Sequence, residues 1–205
     1  MLVMRDITQR REAEDALKSA NQQLIERLAQ IEQLQAALRQ QTLRDPLTGL
    51  FNRRYLDETF ARESRRAERD NRPIAVAMID LDNFKRINDS HGHQVGDQVL
   101  QALARLLQRE CRAADIVCRL GGEEFLVLLP GSDAEQAQLR VEHWRDSFSR
   151  LSHSGQEQRF HTSFSCGIAA LPRHGRTLAQ LYHHADKALY QAKAAGKNCS
   201  VRAAV

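Results

Sequence analysis

Residues 9–42 contain neither Gly nor Pro, and Leu17, Leu24, Ile31 and Leu38 recur within them at seven-residue intervals. That repeat marks the seam of a coiled coil rather than the broader apolar face of a globular helix. Helical throughout, the stretch would run about 50 Å at ~1.5 Å per residue. Its companion column is mixed. Glu14, Asn21, Leu28 and Gln35 stand three residues before the seam positions, and Ala20, Arg27, Leu34 and Gln41 three after. So polar a second half pairs weakly and leaves the register loosely fixed; the alternative is a solvated amphipathic helix packed on its own domain. Asp45-Pro46 ends the segment, because a residue before proline is pushed out of the α region. We therefore expect a coiled-coil helix over 11–43 and a folded domain over 44–205.

Beyond Pro46 the hydrophobic period changes repeatedly. Tyr55–Arg69 reads as a helix with an Arg-rich outer face, and Ile74–Asp80 as a buried strand. Val99, Leu100, Leu103, Leu106 and Leu107 carry a helix face. Ile116–Leu120 and Phe125–Leu129 read as strands joined at Gly121-Gly122-Glu123-Glu124, a hairpin signal. Ala137, Val141, Trp144, Phe148 and Leu151 follow helical spacing. Phe160, Thr162, Phe164, Cys166 and Ile168 alternate, which predicts a strand with one buried face. Leu178, Leu181, Ala185, Ala188 and Leu189 make the last helix. Interleaved strands and helices around a hairpin predict an α/β (α+β) domain, a mixed sheet covered by helices.

Composition narrows the function. Net charge is +4 and aromatics are 5% of residues. That favours an anionic small ligand over a base-stacking platform for a nucleic acid polymer. The longest apolar runs, Ile74–Ile79 and Phe125–Pro130, fall far short of the ~20 residues that span a bilayer. No signal peptide opens the chain. Cys111, Cys118, Cys166 and Cys199 include no C-x-x-C pair, which reads as reduced thiols in a cytoplasmic protein.

Two acidic clusters stand at structural transitions: Asp80-Leu81-Asp82 at a strand end and Glu123-Glu124 at the hairpin tip. Such acids can converge on Mg²⁺, which takes one or two carboxylates and leaves its other positions to water and phosphates. Lys85, Asn88, the stretch Gly92–Gly96 and Asp97 at a helix start lie close by in sequence, as at a nucleoside triphosphate site. Turn acids and a helix cap at Asp97 explain the same residues more plainly. His91, His93, His183 and His184 are read as structural rather than metal-binding.

Taken together, DPLTGLFNRR (45–54), IDLDNFKRINDSHGHQVGD (79–97), RAADIVCRLGGEEF (112–125), SFSCGIA (163–169) and ADKALYQAKAAGKN (185–198) resemble the diguanylate cyclase domains of the GGDEF family, here as Gly121-Gly122-Glu123-Glu124-Phe125. The resemblance implies a five-stranded mixed sheet flanked by helices, similar to a nucleotidyl cyclase or polymerase palm. It implies condensation of two GTP into cyclic di-GMP with release of two pyrophosphates. Asp80 and Glu123 would ligate Mg²⁺ with the Leu81 carbonyl, two ions per active site, Mn²⁺ being able to replace it. Glu124 would bind a second ion or assist deprotonation of the attacking 3′-hydroxyl. The implied substrate residues are Asn88 and Asp97 for guanine, with Phe84, Lys85, Lys193 and Lys197 for the remainder, Lys197 standing where many members have Arg.

Arg112 and Asp115 match the family's R-x-x-D site for inhibitory product; an ordinary i, i+3 salt bridge is the alternative. Residues 4–14 resemble the closing D-I-T-x-R-x-x-A-E of PAS sensory domains, so 1–10 would be the remnant of an upstream sensor whose parent protein could be membrane-tethered. The implied assembly is a homodimer through the stalk and across the active site. A catalytically silent GTP or cyclic di-GMP receptor is the competing function.

Overall fold

The computed structural model describes residues 17–28, 30, 31, 43–155 and 158–204. The chain divides into two compact units, Met1–Thr42 and Leu43–Val205. In the first, residues 17–28, 30 and 31 are helical, and Leu17, Leu24, Ile25, Leu28 and Ile31 are all at least 50% exposed. The rest of the expected coiled coil, Leu38 included, and the PAS-like stretch lie outside the described residues.

The second unit is a mixed α/β fold. In chain order it runs β1 (Phe51–Asn52), α1 (Arg53–Asp70), β2 (Ile74–Leu81), α2 (Phe84–His91), α3 (His93–Glu110), β3 (Ile116–Gly121), β4 (Glu124–Pro130), α4 (Ala134–Ser149), β5 (His153–Ser154), β6 (Arg159–Phe160), β7 (Phe164–Leu171), α5 (Leu178–Ala194) and β8 (Ser200–Arg202). The main sheet has the order β1-β3-β4-β2-β7-β8, and β5 pairs with β6 separately. Its four central strands are antiparallel to one another, whereas β1 and β8 join the edges in parallel. No helix among the described residues is long and apolar enough to cross a membrane.

Six strands replace the expected five. The edge strands are two and three residues long, too short to leave a period in the sequence. The strand expected from Phe160 begins at Phe164 and is buried at all eight positions; Phe160 belongs to β6. Alternation failed there because helices cover both faces of the sheet. Ala75, Ala77, Ile79 and Leu81 of β2 pack with apolar residues of α2, α3 and α4. Ile74, Val76 and Met78 pack with those of α1 and α5. Leu151 lies beyond the end of α4, partly buried against the first of these cores.

Two glycines shape the region around the end of β2. Gly122 (φ 52°) turns the β3–β4 hairpin in the left-handed region, where a side chain would be strained. Gly167 of β7 lets α5 lie directly on the sheet, since a Cβ there would sit 1.9 Å from the Ala185 carbonyl oxygen. The close approach of α5 brings its C-terminal end to the end of β2.

Candidate active site

Asp80 is the penultimate residue of β2 and pairs with Glu124 across the β2–β4 ladder. The Leu81 N–H donates to the Glu123 carbonyl at 3.4 Å. Three carboxylates therefore stand at one end of the sheet: Asp80, nearly buried, with Glu123 and Glu124 half-buried. Lys193, from the last turn of α5, places Nζ 2.8 Å from Asp80 Oδ2. Burial pushes the Asp80 carboxyl above its ordinary value; Lys193 opposes this, and the charges of Glu123 and Glu124 reinforce it. Like charges gathered in a partly dry corner call for a cation.

Among the described residues no three His, Cys, Asp or Glu side chains form a ready-made metal cage. The donor set nonetheless fits a hard divalent ion, which uses one or two carboxylates and fills its remaining positions with water and phosphate oxygens. Asp82 is not free to join. Its oxygens accept from the Ser163 and Ser165 hydroxyls, each at 2.6 Å, and from the Asn198 N–H at 3.0 Å. The side chain locks β2, β7 and the 196–199 turn together, a positioning role that the D-x-D spacing concealed. The alternating serines of SFSCG were the available signal. Lys197 lies beside this lock, with Nζ 2.5 Å from Asn83 Oδ1.

The second group sits on α2 and α3. Phe84 is buried, Lys85 exposed and Asn88 half-buried on successive turns of α2. Asn88 Oδ1 is buried without a hydrogen-bond partner, and a Cβ on Gly96 would lie 1.9 Å from it. A carboxamide pressed against a helical glycine leaves its NH₂ end for other work. Asp97 is exposed one residue further on. It does not open its helix as expected: α3 begins at His93 with Gly92 (φ 84°) as its cap. With the helix starting four residues before Asp97, Gly96 is helical.

Arg112 and Asp115 lie at the loop between α3 and β3, beside a cavity of about 220 Å³ whose walls include Arg44, Phe51 and Cys111. The Arg112 N–H donates to Asp115 Oδ2 at 2.6 Å. The ion pair of Asp115, however, is made with Arg140 of α4, whose guanidinium grips both carboxylate oxygens. This longer-range pair stands in place of an i, i+3 salt bridge between Arg112 and Asp115. The Arg112 side chain stays exposed.

The histidines gather no metal site among the described residues; His91 stacks on Phe160 with ring centroids 4.5 Å apart. The four cysteines are free thiols. Burial, ahead of neighbouring charges, pushes Cys111 and Cys118 up to about 12 and Cys166 well above the usual thiol value, so at neutral pH they are protonated and not nucleophiles.

Comparison with known proteins identifies the family of the folded domain. The family described as "Diguanylate cyclase, GGDEF domain" matches residues 42–199. The chain is 37% identical over 207 residues to the diguanylate cyclase DgcP of Pseudomonas aeruginosa, covering 97% of this chain and 31% of that protein. It spans about a third of the length of the curated relatives that it matches most strongly. It is similar in structure to the diguanylate cyclase SiaD of Pseudomonas aeruginosa, solved with its activator SiaC (TM-score 0.76, 36% identity, 98% of this chain and 76% of that one). It is also similar to the coiled coil and GGDEF domain of DgcB from Caulobacter crescentus, solved with c-di-GMP (TM-score 0.79, 29% identity, 90% of this chain and 100% of that one).

Proposed function

The chain belongs to the diguanylate cyclase GGDEF-domain family, and from that premise we propose that it joins two GTP into cyclic di-GMP, releasing two pyrophosphates. The observation that carries this reading is the meeting of Asp80, Glu123, Glu124 and Lys193 at one sheet end. Every acid of the signature is present, in a register that sets the carboxylates side by side.

Asp80, the Leu81 carbonyl, Glu123 and Glu124 are the groups to hold Mg²⁺, two ions per site, with Mn²⁺ as a substitute. When bound, such ions neutralise the triphosphate and stabilise the attacking and leaving oxygens of an in-line displacement. Glu124, the less buried partner of Asp80, either ligates the second ion or accepts the proton of the attacking 3′-hydroxyl. Lys85, Lys193 and Lys197 supply positive charge to the phosphates; an ammonium at 197 grips as a point charge rather than as a fork.

Asn88 and Asp97 read guanine, and Phe84 belongs to the same substrate site. The Asp97 carboxylate accepts from N1–H and the 2-amino group, donors that adenine lacks. Arg112, with Asp115 behind it, serves as the inhibitory product site; the exposed guanidinium offers a fork to phosphate or to the guanine edge. Each 3′-hydroxyl must attack the other nucleotide's α-phosphate, so two domains face each other about a twofold axis. Pairing of the heptad-bearing helix over 11–43 raises their effective concentration. A sensor upstream, of which the PAS-like stretch is the end, is the source of control, and the chain works on the cytoplasmic side.

Incubating the purified protein with GTP and Mg²⁺ and identifying the products by mass spectrometry tests the reading. Cyclic di-GMP with two pyrophosphates per molecule is the expected result. Bound GTP with no product over hours identifies a silent receptor instead.

A further inference from the structure

A cavity of about 680 Å³ opens between α2 and the segment 160–163 that leads into β7. Arg86, Ser90 and His91 of α2 line one wall, and Phe160, His161 and Thr162 line the other. At ~100° per residue, Arg86 and Ser90 fall on the opposite side of α2 from Phe84 and Asn88. The cavity is thus separate from the surface on which guanine is read. Its volume is that of a small-molecule site. His91 and Phe160, stacked with their planes 7° apart, make one firm corner. Behind that corner His153, 8% exposed, stands 5.6 Å from Phe160 and keeps Nε2 without a hydrogen-bond partner. A buried polar atom left open marks a region that its own chain does not complete.

The polar groups of the wall divide unevenly. Asp82, the one carboxylate among its described residues, spends both oxygens on the Ser163 and Ser165 hydroxyls and the Asn198 N–H. Asn83 Oδ1 accepts from Lys197, and Asn198 Oδ1 accepts from Arg145 Nη1 at 2.8 Å. The carboxylate and carboxamide acceptors are therefore taken, whereas donors stay open. The Arg86 guanidinium is exposed and forms no ion pair or hydrogen bond with any described residue. The Ser90 hydroxyl and the His161 ring share the cavity with it. What such a wall lacks is an anionic ligand that only accepts. We propose that this cavity binds a small phosphate monoester, its phosphate on Arg86, Ser90 and His161 and its carbon body against Phe160. Bare phosphate would leave most of the volume unfilled. The site takes nothing from the cyclase reading, and none of these four residues is assigned to metal, nucleotide or product.

Calorimetry with ribose 5-phosphate tests the site, in saturating non-hydrolysable GTP analogue and Mg²⁺ so that the active site is occupied. The ester should bind with a Kd of about 1 mM or tighter. Arg86→Gln removes the charged fork, and Ser90→Trp fills the cavity without changing its charge. Both positions are exposed, so melting temperatures should hold. Each variant should bind the ester about tenfold or more weakly. Arg112→Ala, which disables the product site, should bind it as wild type does. Inorganic phosphate should bind at least about fivefold more weakly than the ester, having no body to pack. No binding by the wild-type protein, or wild-type affinity in Arg86→Gln and Ser90→Trp, overturns the site. Loss in Arg112→Ala instead moves the anion to the product site and overturns it as well. Inorganic phosphate as tight as the ester overturns the ligand class. A wild-type chain that makes no cyclic di-GMP overturns the cyclase reading and leaves this binding result standing.

Discussion

Arg119 holds Asp45 and the carbonyl of Gly122 at once. Its Nη1 lies 3.0 Å from Asp45 Oδ1, while Nε and Nη2 donate to the Gly122 oxygen at 3.0 and 2.7 Å. The turn at the head of the folded domain is thereby tied to the residue before Glu123. Arg119→Ala should cost about 1–3 kcal/mol, the range for leaving a part-buried charged partner unpaired. Turnover should fall as the hairpin tip loosens. Arg119→Lys should recover only part of either, because one ammonium cannot reproduce a fork. Urea unfolding and product formation read the two effects.

The same carboxylate gives a pH signature. Burial alone pushes Asp45 up, but hydrogen bonds from Thr48 and Arg119 and the Arg119 charge outweigh it and hold the carboxyl below its ordinary value. The folded state then binds fewer protons than the unfolded one. Its stabilising effect is present above the unfolded value and lost as pH falls through the folded one. Asp80 behaves oppositely. Its carboxyl is raised, so its unfavourable contribution is present above the raised value and vanishes as pH falls below the ordinary one. Thermal melts should show Asp45→Asn destabilised at neutral pH, with the gap closing on acidification. Asp80→Asn should be at least as stable as wild type at neutral pH, its advantage also closing in acid.

Gly96 tests the reading of guanine without removing a polar group. An Ala methyl at 96 would collide with Asn88 Oδ1, 1.9 Å away. Alanine itself favours the helix by about 1 kcal/mol, so the fold should survive. Displacing Asn88 should weaken GTP binding about tenfold, the equivalent of one hydrogen bond. Unchanged affinity by calorimetry would remove Asn88 from the nucleotide site.

Arg112→Ala should abolish tight binding of cyclic di-GMP and raise the steady-state yield, leaving the first turnover intact. Arg140→Ala should do so in part, since Arg140 holds the Asp115 carboxylate beside Arg112. Equal product affinity in wild type and both variants would reduce the R-x-x-D pattern to a structural turn.

The long elements were legible in the sequence. IAVAMID and the spaced leucines of α3 bury as their periods require, and the hairpin turns where its glycines stand. Long-range pairs were not legible. Asp115 with Arg140 and Arg119 with Asp45 join residues 25 and 74 positions apart, and no local period records them. Asp82 shows the other limit: a D-x-D presents two equivalent acids, and only packing against Ser163 and Ser165 separates the buried lock from Asp80.

The most direct test is Glu123→Gln, assayed for product and for GTP binding on the same protein sample. The side chain sits at a hairpin tip and is only half-buried, so the fold and melting temperature should be close to wild type. Cyclic di-GMP formation should drop by about a thousandfold, as expected when a group that stabilises transition-state charge is lost. A folded Glu123→Gln protein that makes cyclic di-GMP at the wild-type rate would contradict the account.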